Sequence, residues 1–162
     1  MKFITRATKF LLAAVMLVVC LSVSAQGPYE VRKDKDGFLE GRNYKSGGVF
    51  VLLFVKVFPG HETLYFNYLD DVWKKQQDAL VKEGIIRSYK VLQANPGHKE
   101  DYNVVLITEY KDRTTMDERS AEADTITRGI TGSDQKMAEA FRDREKIRKI
   151  FGGKVTREII LR

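Results

Sequence analysis

Apolar positions along the chain fall into four runs of strand character, separated by stretches of helical period. Val49 to Phe58 (VFVLLFVKVF) is apolar except for Lys56, rich in β-branched and aromatic residues, and bounded by Gly47-Gly48 and Pro59-Gly60. That pattern predicts a strand covered on both faces. Glu62 to Glu83 has helical period: Tyr65, Leu69, Val72, Ala79 and Leu80 share a stripe, Lys74, Lys75, Asp78 and Lys82 lie opposite, and Gly84 stands at the stop. Ile85 to Leu92 and Tyr102 to Tyr110 read as two further strands, joined through the turn residues Asn95-Pro96-Gly97 as an antiparallel hairpin with a long loop. From Thr114 the pattern is helical again, with Met116, Ala123 and Ile126 marking a first segment that Gly129 and Gly132 break. Ser133 or Asp134 caps a last helix running to about Phe151, with Gly152-Gly153 ending it. Val155 to Leu161 is the final strand.

The order β-α-β-β-α-β predicts an α+β, ferredoxin-like domain: one four-stranded antiparallel sheet with its helices on one face. The other face is apolar too. Phe50, Leu52 and Phe54 alternate with Val51, Leu53 and Val55, and Val105 and Ile107 oppose Val104 and Leu106. A helix layer covers one face only, and a large exposed apolar face marks an interface. The expected cover is a second copy related by a two-fold axis.

This order with a two-sided apolar sheet, over roughly residues 48–162, resembles the dimeric α/β-barrel superfamily. That superfamily includes antibiotic-biosynthesis-type monooxygenases, haem-degrading monooxygenases and stress-responsive barrel proteins. The resemblance implies the fold and a homodimer. Its haem-degrading members hold iron through a helix histidine, and the stretch Thr114 to Phe151 has none. Its cofactor-free monooxygenases have a polar-aromatic pocket, and Asn67 and Trp73, with Tyr65 and Tyr68, are residues of that type on the first helix.

Ahead of this domain, Lys2, Arg6 and Lys9 precede an apolar run from Phe10 to Val19, and Val23-Ser24-Ala25 gives small residues for a peptidase. Residues 1–25 therefore read as a cleavable signal peptide, too short an apolar run for a membrane anchor. Cys20 in Leu17-Val18-Val19-Cys20 leaves a lipoprotein alternative. Residues 26–48, polar and rich in glycine, read as a flexible arm, and residues 49–162 as the domain. Cleavage predicts a periplasmic or secreted protein. Removing three of the 28 basic residues and none of the 22 acidic ones leaves a net charge of +3, no footprint for nucleic acid. Without Cys20, the only cysteine, the mature chain forms no disulfide.

Candidate chemistry is sparse. His61 and His98 have no second ligand at metal spacing, and neither a nucleophile motif nor a phosphate loop occurs, so no metal and no cofactor is expected. Helical geometry is more informative. At 100° per residue, Arg144 and Arg148 fall inside the stripe of Met137, Phe141, Ile147 and Phe151. Gln76 falls inside the stripe of the first helix, and Glu109 shares a strand face with Asn103, Val105 and Ile107. Inward polar groups must be paired or face a cavity. Either Arg144 pairs with Glu109 or another acid while Arg148 snorkels out, or Tyr65, Trp73, Gln76, Glu109, Arg144 and Arg148 mark a ligand cavity between helices and sheet. Three functions follow from these alternatives. One is an exported domain binding a small organic ligand. Another is a cofactor-independent monooxygenase or isomerase using Arg144 to stabilise negative charge. The third is a purely structural interaction module.

Overall fold

A computed structural model describes residues 32–33, 39–40, 44–99 and 101–161. Residues 1–25, the stretch read as a signal peptide, lie outside the described residues. Within the stretch read as an arm, β1 (Arg32–Lys33) pairs antiparallel with β2 (Leu39–Glu40). This ladder belongs to a unit separate from residues 46–161, the unit that carries the helices and the sheet.

The first long strand, β3 (Tyr44–Val57), begins ahead of Val49, so Gly47-Gly48 lies inside it and does not precede it. Gly48 is buried there, and an added Cβ would sit 3.1 Å from the Glu109 Oε1, a tight approach that favours glycine. A continuous helical run follows: α1 (Glu62–Tyr68), a π-helical turn (Leu69–Trp73) and α2 (Lys74–Lys82). Gly84, at φ 66°, takes the left-handed conformation that ends it. Then come β4 (Ser88–Gln93), β5 (Val104–Tyr110), α3 (Arg113–Glu118), α4 (Ser120–Thr131), α5 (Asp134–Glu145) and β6 (Arg148–Leu161).

The sheet order is β4-β5-β3-β6, the ferredoxin-like order, with the hairpin β4-β5 antiparallel and β5 antiparallel to β3. The expected fold class is thus the observed one. Register pairs Leu53 with Leu106 and Val55 with Val104, and these face Tyr65 and Leu69 in the main core. The intervening pairs, Leu52 with Ile107 and Phe54 with Val105, alternate to the other side, which carries no helix. There Phe54 stacks on Tyr102 at 4.8 Å, and Leu92 is 48% exposed. Asn103 joins neither face. Its side-chain amide bonds both polar atoms of Val57, accepting from the N–H at 2.8 Å and donating to the carbonyl at 3.0 Å, which prolongs the ladder.

Three further boundaries differ from the sequence reading, each for a physical reason. Ile85 and Ile86 precede β4 and plug a second small core with Leu80, so their side chains are buried without ladder pairing. The last helix stops at Glu145, not near Phe151. The Ile147 carbonyl accepts from the Phe58 N–H at 2.9 Å, which draws the chain into the sheet and makes Arg148 the first residue of β6. Gly152-Gly153 consequently lies inside a strand. Gly152 sits at φ 125°, and a Cβ on Gly153 would come within 3.2 Å of the Leu52 carbonyl oxygen, so the pair bends the edge strand where a side chain would not fit.

Candidate functional site

The site begins with the π turn. Buried Tyr65, Leu69 and Gln77, with half-buried Trp73 between the last two, recur every fourth residue. A regular α-helix would rotate such a series steadily off the core, and one wider turn restores it. Trp73 therefore packs on the core and meets the Tyr89 ring edge-on at 5.3 Å. Gln77, 8% exposed, points inward and accepts from the Thr108 hydroxyl at 3.4 Å. Gln76, expected inside, is displaced by one residue and lies half-buried.

That displacement turns Gln76, Tyr68 and Val72 into a cleft of about 650 Å³ between this helical run and α4 and α5. Gln76 closes one end by donating to the Thr131 hydroxyl at 3.0 Å. Trp73, Ile130, Met137 and Phe141 make the walls apolar. Arg144 reaches in from the last turn of α5, with its guanidinium over the Tyr68 ring at 4.3 Å.

Arg148 stands behind the same ring, 5.9 Å from its centroid, and is 7% exposed. It does not snorkel out. It donates to the Tyr65 hydroxyl at 3.2 Å and lines a smaller pocket of about 300 Å³ with Phe58 and Ile150. Burial raises the Tyr65 phenol above its ordinary value, with Arg148 opposing in part, so Tyr65 stays protonated and is no base at neutral pH. The Arg144 guanidinium is held below its usual range by burial, and Arg148 pushes in the same direction.

Three of the six expected residues line the cleft: Trp73, Gln76 and Arg144. Tyr65, buried in the core, and Arg148, in the smaller pocket, meet the Tyr68 ring from outside that lining. Glu109 stands apart. Its partner across the ladder is Phe50, on the helix-free face, where it accepts from the Ser88 hydroxyl at 2.6 Å and faces Arg87 at 3.8 Å. The sheet lies between it and Arg144, which rules out the expected ion pair. Phe141, a stripe residue in the sequence, is a site residue, and so is Tyr68, which the family resemblance names but the set of expected ligand residues omits. Their spacing gives the signal: Tyr68 is three residues from Tyr65, and Phe141 three from Arg144.

One contact at the far side of Trp73 has a measurable consequence. The Tyr89 hydroxyl donates a short hydrogen bond to Asp78 on α2. That bond to the carboxylate pushes the Tyr89 phenol up to about 12 and holds the Asp78 carboxyl below its usual range. A phenol raised in the folded state stabilises the fold below its unfolded value near 10, and that contribution disappears as pH rises from there through about 12. In an absorbance titration of phenolate, Asp78→Asn should bring one tyrosine back toward 10. An unchanged titration curve would show that Asp78 does not hold Tyr89.

Among the described residues there is no cluster of metal-ligating side chains, and no helix is long and apolar enough to cross a membrane. No protein-family model matches the chain, and no curated protein does. Three solved structures are similar to parts of this chain at low sequence identity. HapK from Hahella chejuensis is 10% identical, with a TM-score of 0.45 over 67% of this chain and 90% of that one. A dimeric ferredoxin-like protein from an uncultured marine organism is 12% identical, with a TM-score of 0.45 over 73% and 90%. A second such protein is 15% identical, with a TM-score of 0.44 over 73% and 98%.

Proposed function

We propose that this is an exported homodimeric domain that binds a small organic ligand in the cleft between its helices. The observation that carries the reading is the cleft itself. About 650 Å³ of space, walled by Trp73, Met137 and Phe141 and provided with polar groups at Gln76 and Arg144, has the size and make-up of a small-molecule site. A filled core would leave no such space. The helix-free sheet face, with Leu52, Phe54, Ile107 and Leu92, supports pairing of two copies. The leader at residues 1–25 supports export to the periplasm or the medium.

Native mass spectrometry of the protein purified from its own host tests all three parts. The expected species is a dimer of chains beginning at Gln26, carrying a reproducible non-covalent adduct. A dimer without adduct at any gentle activation energy would favour a structural module. A monomer at micromolar concentration would require another cover for the open sheet face.

A further inference from the structure

Half-buried Arg144 at the cleft and buried Arg148 beside it have no carboxylate partner among the described residues. Among the described residues the acids that form ion pairs are matched elsewhere: Asp78 with Lys74, Glu109 with Arg87, Asp117 with Arg113, Glu122 with Arg119, Asp134 with Arg128 and Asp143 with Lys146. No described carboxylate pairs with Arg144 or Arg148. The Nε atoms of both are buried without a hydrogen-bond partner. Arg148 spends one donor on Tyr65, and both guanidiniums rest on the single Tyr68 ring. Two like charges gathered on one aromatic ring, with donors unmet, make a site of positive potential. The cleft adds to it: Lys75 and Lys136 line it against one acid, Asp71.

We propose that the ligand of this cleft is an organic carboxylate with an apolar or aromatic body, its carboxylate received by Arg144 and its body held between Trp73, Met137 and Phe141. The assignment rests on the cleft being a ligand site. A carboxylate matches the terminal nitrogens of the guanidinium fork with two parallel hydrogen bonds. The apolar walls exclude an ion with no body, such as free phosphate, as the preferred occupant. Arg148 is a positioning residue. It fixes Tyr65 and adds its charge from behind Tyr68 without entering the cleft.

The test uses a matched pair of probes on the full dimer, 2-naphthoate and its neutral analogue 2-naphthamide. Calorimetry gives the affinities, and the indole N–H resonance of Trp73, the only tryptophan, reports whether binding is at the cleft. The expected result is that both probes move the Trp73 signal and naphthoate binds at least tenfold more tightly. Arg144→Gln should erase that preference, bringing naphthoate down to the affinity of naphthamide, and Arg144→Lys should restore part of it. Equal affinities of the wild-type protein for the two probes would overturn the carboxylate assignment with the cleft still standing. No movement of Trp73 with either probe would overturn the cleft itself.

Discussion

Replacing Tyr65 by alanine should lower the unfolding free energy by about 3–5 kcal/mol, the usual cost of emptying a large aromatic site in a core. Tyr65 has no exposed surface and is the largest fully buried side chain. It stands where α1 meets β3 and β5, in contact with the cluster of Val55, Val57, Val104 and Leu106. Its loss has a second component. The hydroxyl accepts from Arg148, which is nearly as buried, so alanine strands a cation whose Nε already lacks an acceptor. The two components separate experimentally. Tyr65→Phe keeps the ring and removes only the acceptor, for about 1–3 kcal/mol. Paired urea melts of the two variants decide the matter. A phenylalanine variant as stable as the parent would show that Arg148 finds another partner without cost. An alanine variant within about 1 kcal/mol of the parent would show that the core is not closed around this ring.

The second large effect concerns the helix-free face. Leu52→Lys should make the protein monomeric at concentrations where the parent is dimeric, because a two-fold axis puts two lysines into one apolar contact. Each buried ammonium costs several kcal/mol unless paired, and the symmetric arrangement brings like charges together. Leu52 faces away from the helices, opposite Ile107 on β5, so the monomer itself should keep its fold and its helical circular dichroism. Val81→Lys, at a position 39% exposed on α2, is the control that should leave the mass unchanged. Sedimentation velocity reads both. A Leu52→Lys protein that still sediments as a dimer would place the contact between copies somewhere other than this face.

Much of the fold is legible in the chain because its signals are local. The run Val49 to Phe58 allows nothing but a covered strand, Gly84 stops the helix before it, and Ser133 caps α5 by accepting from the Lys136 N–H. The misreadings arise where a distant partner decides. Nothing near Ile147 says that its carbonyl belongs to Phe58, so Arg148 read as helical and Gly152-Gly153 as a helix stop. The π turn is equally silent in sequence, and it moves Gln77 inward in place of Gln76. Inward arginines were visible through helical phase for Arg144. Arg148 proved to be inward as well, although on a strand, where a different periodicity applies. Glu109 was placed on the right strand face, and the error lay in which face the helices cover.

The lightness of α5 bears on how fast the cleft exchanges its contents. None of its twelve residues is fully buried, Phe141 is 43% exposed, and its main neighbours are α4 and the start of β6. Few apolar contacts hold it down, so its amides should exchange with deuterium by local opening, long before those of β3 and β5. The wall that carries Arg144 is therefore the wall that opens at least cost. Residence time in the cleft is then governed by the free energy of lifting one short helix, and a ligand that bridges Arg144 to Trp73 lengthens its own stay by fastening that helix shut.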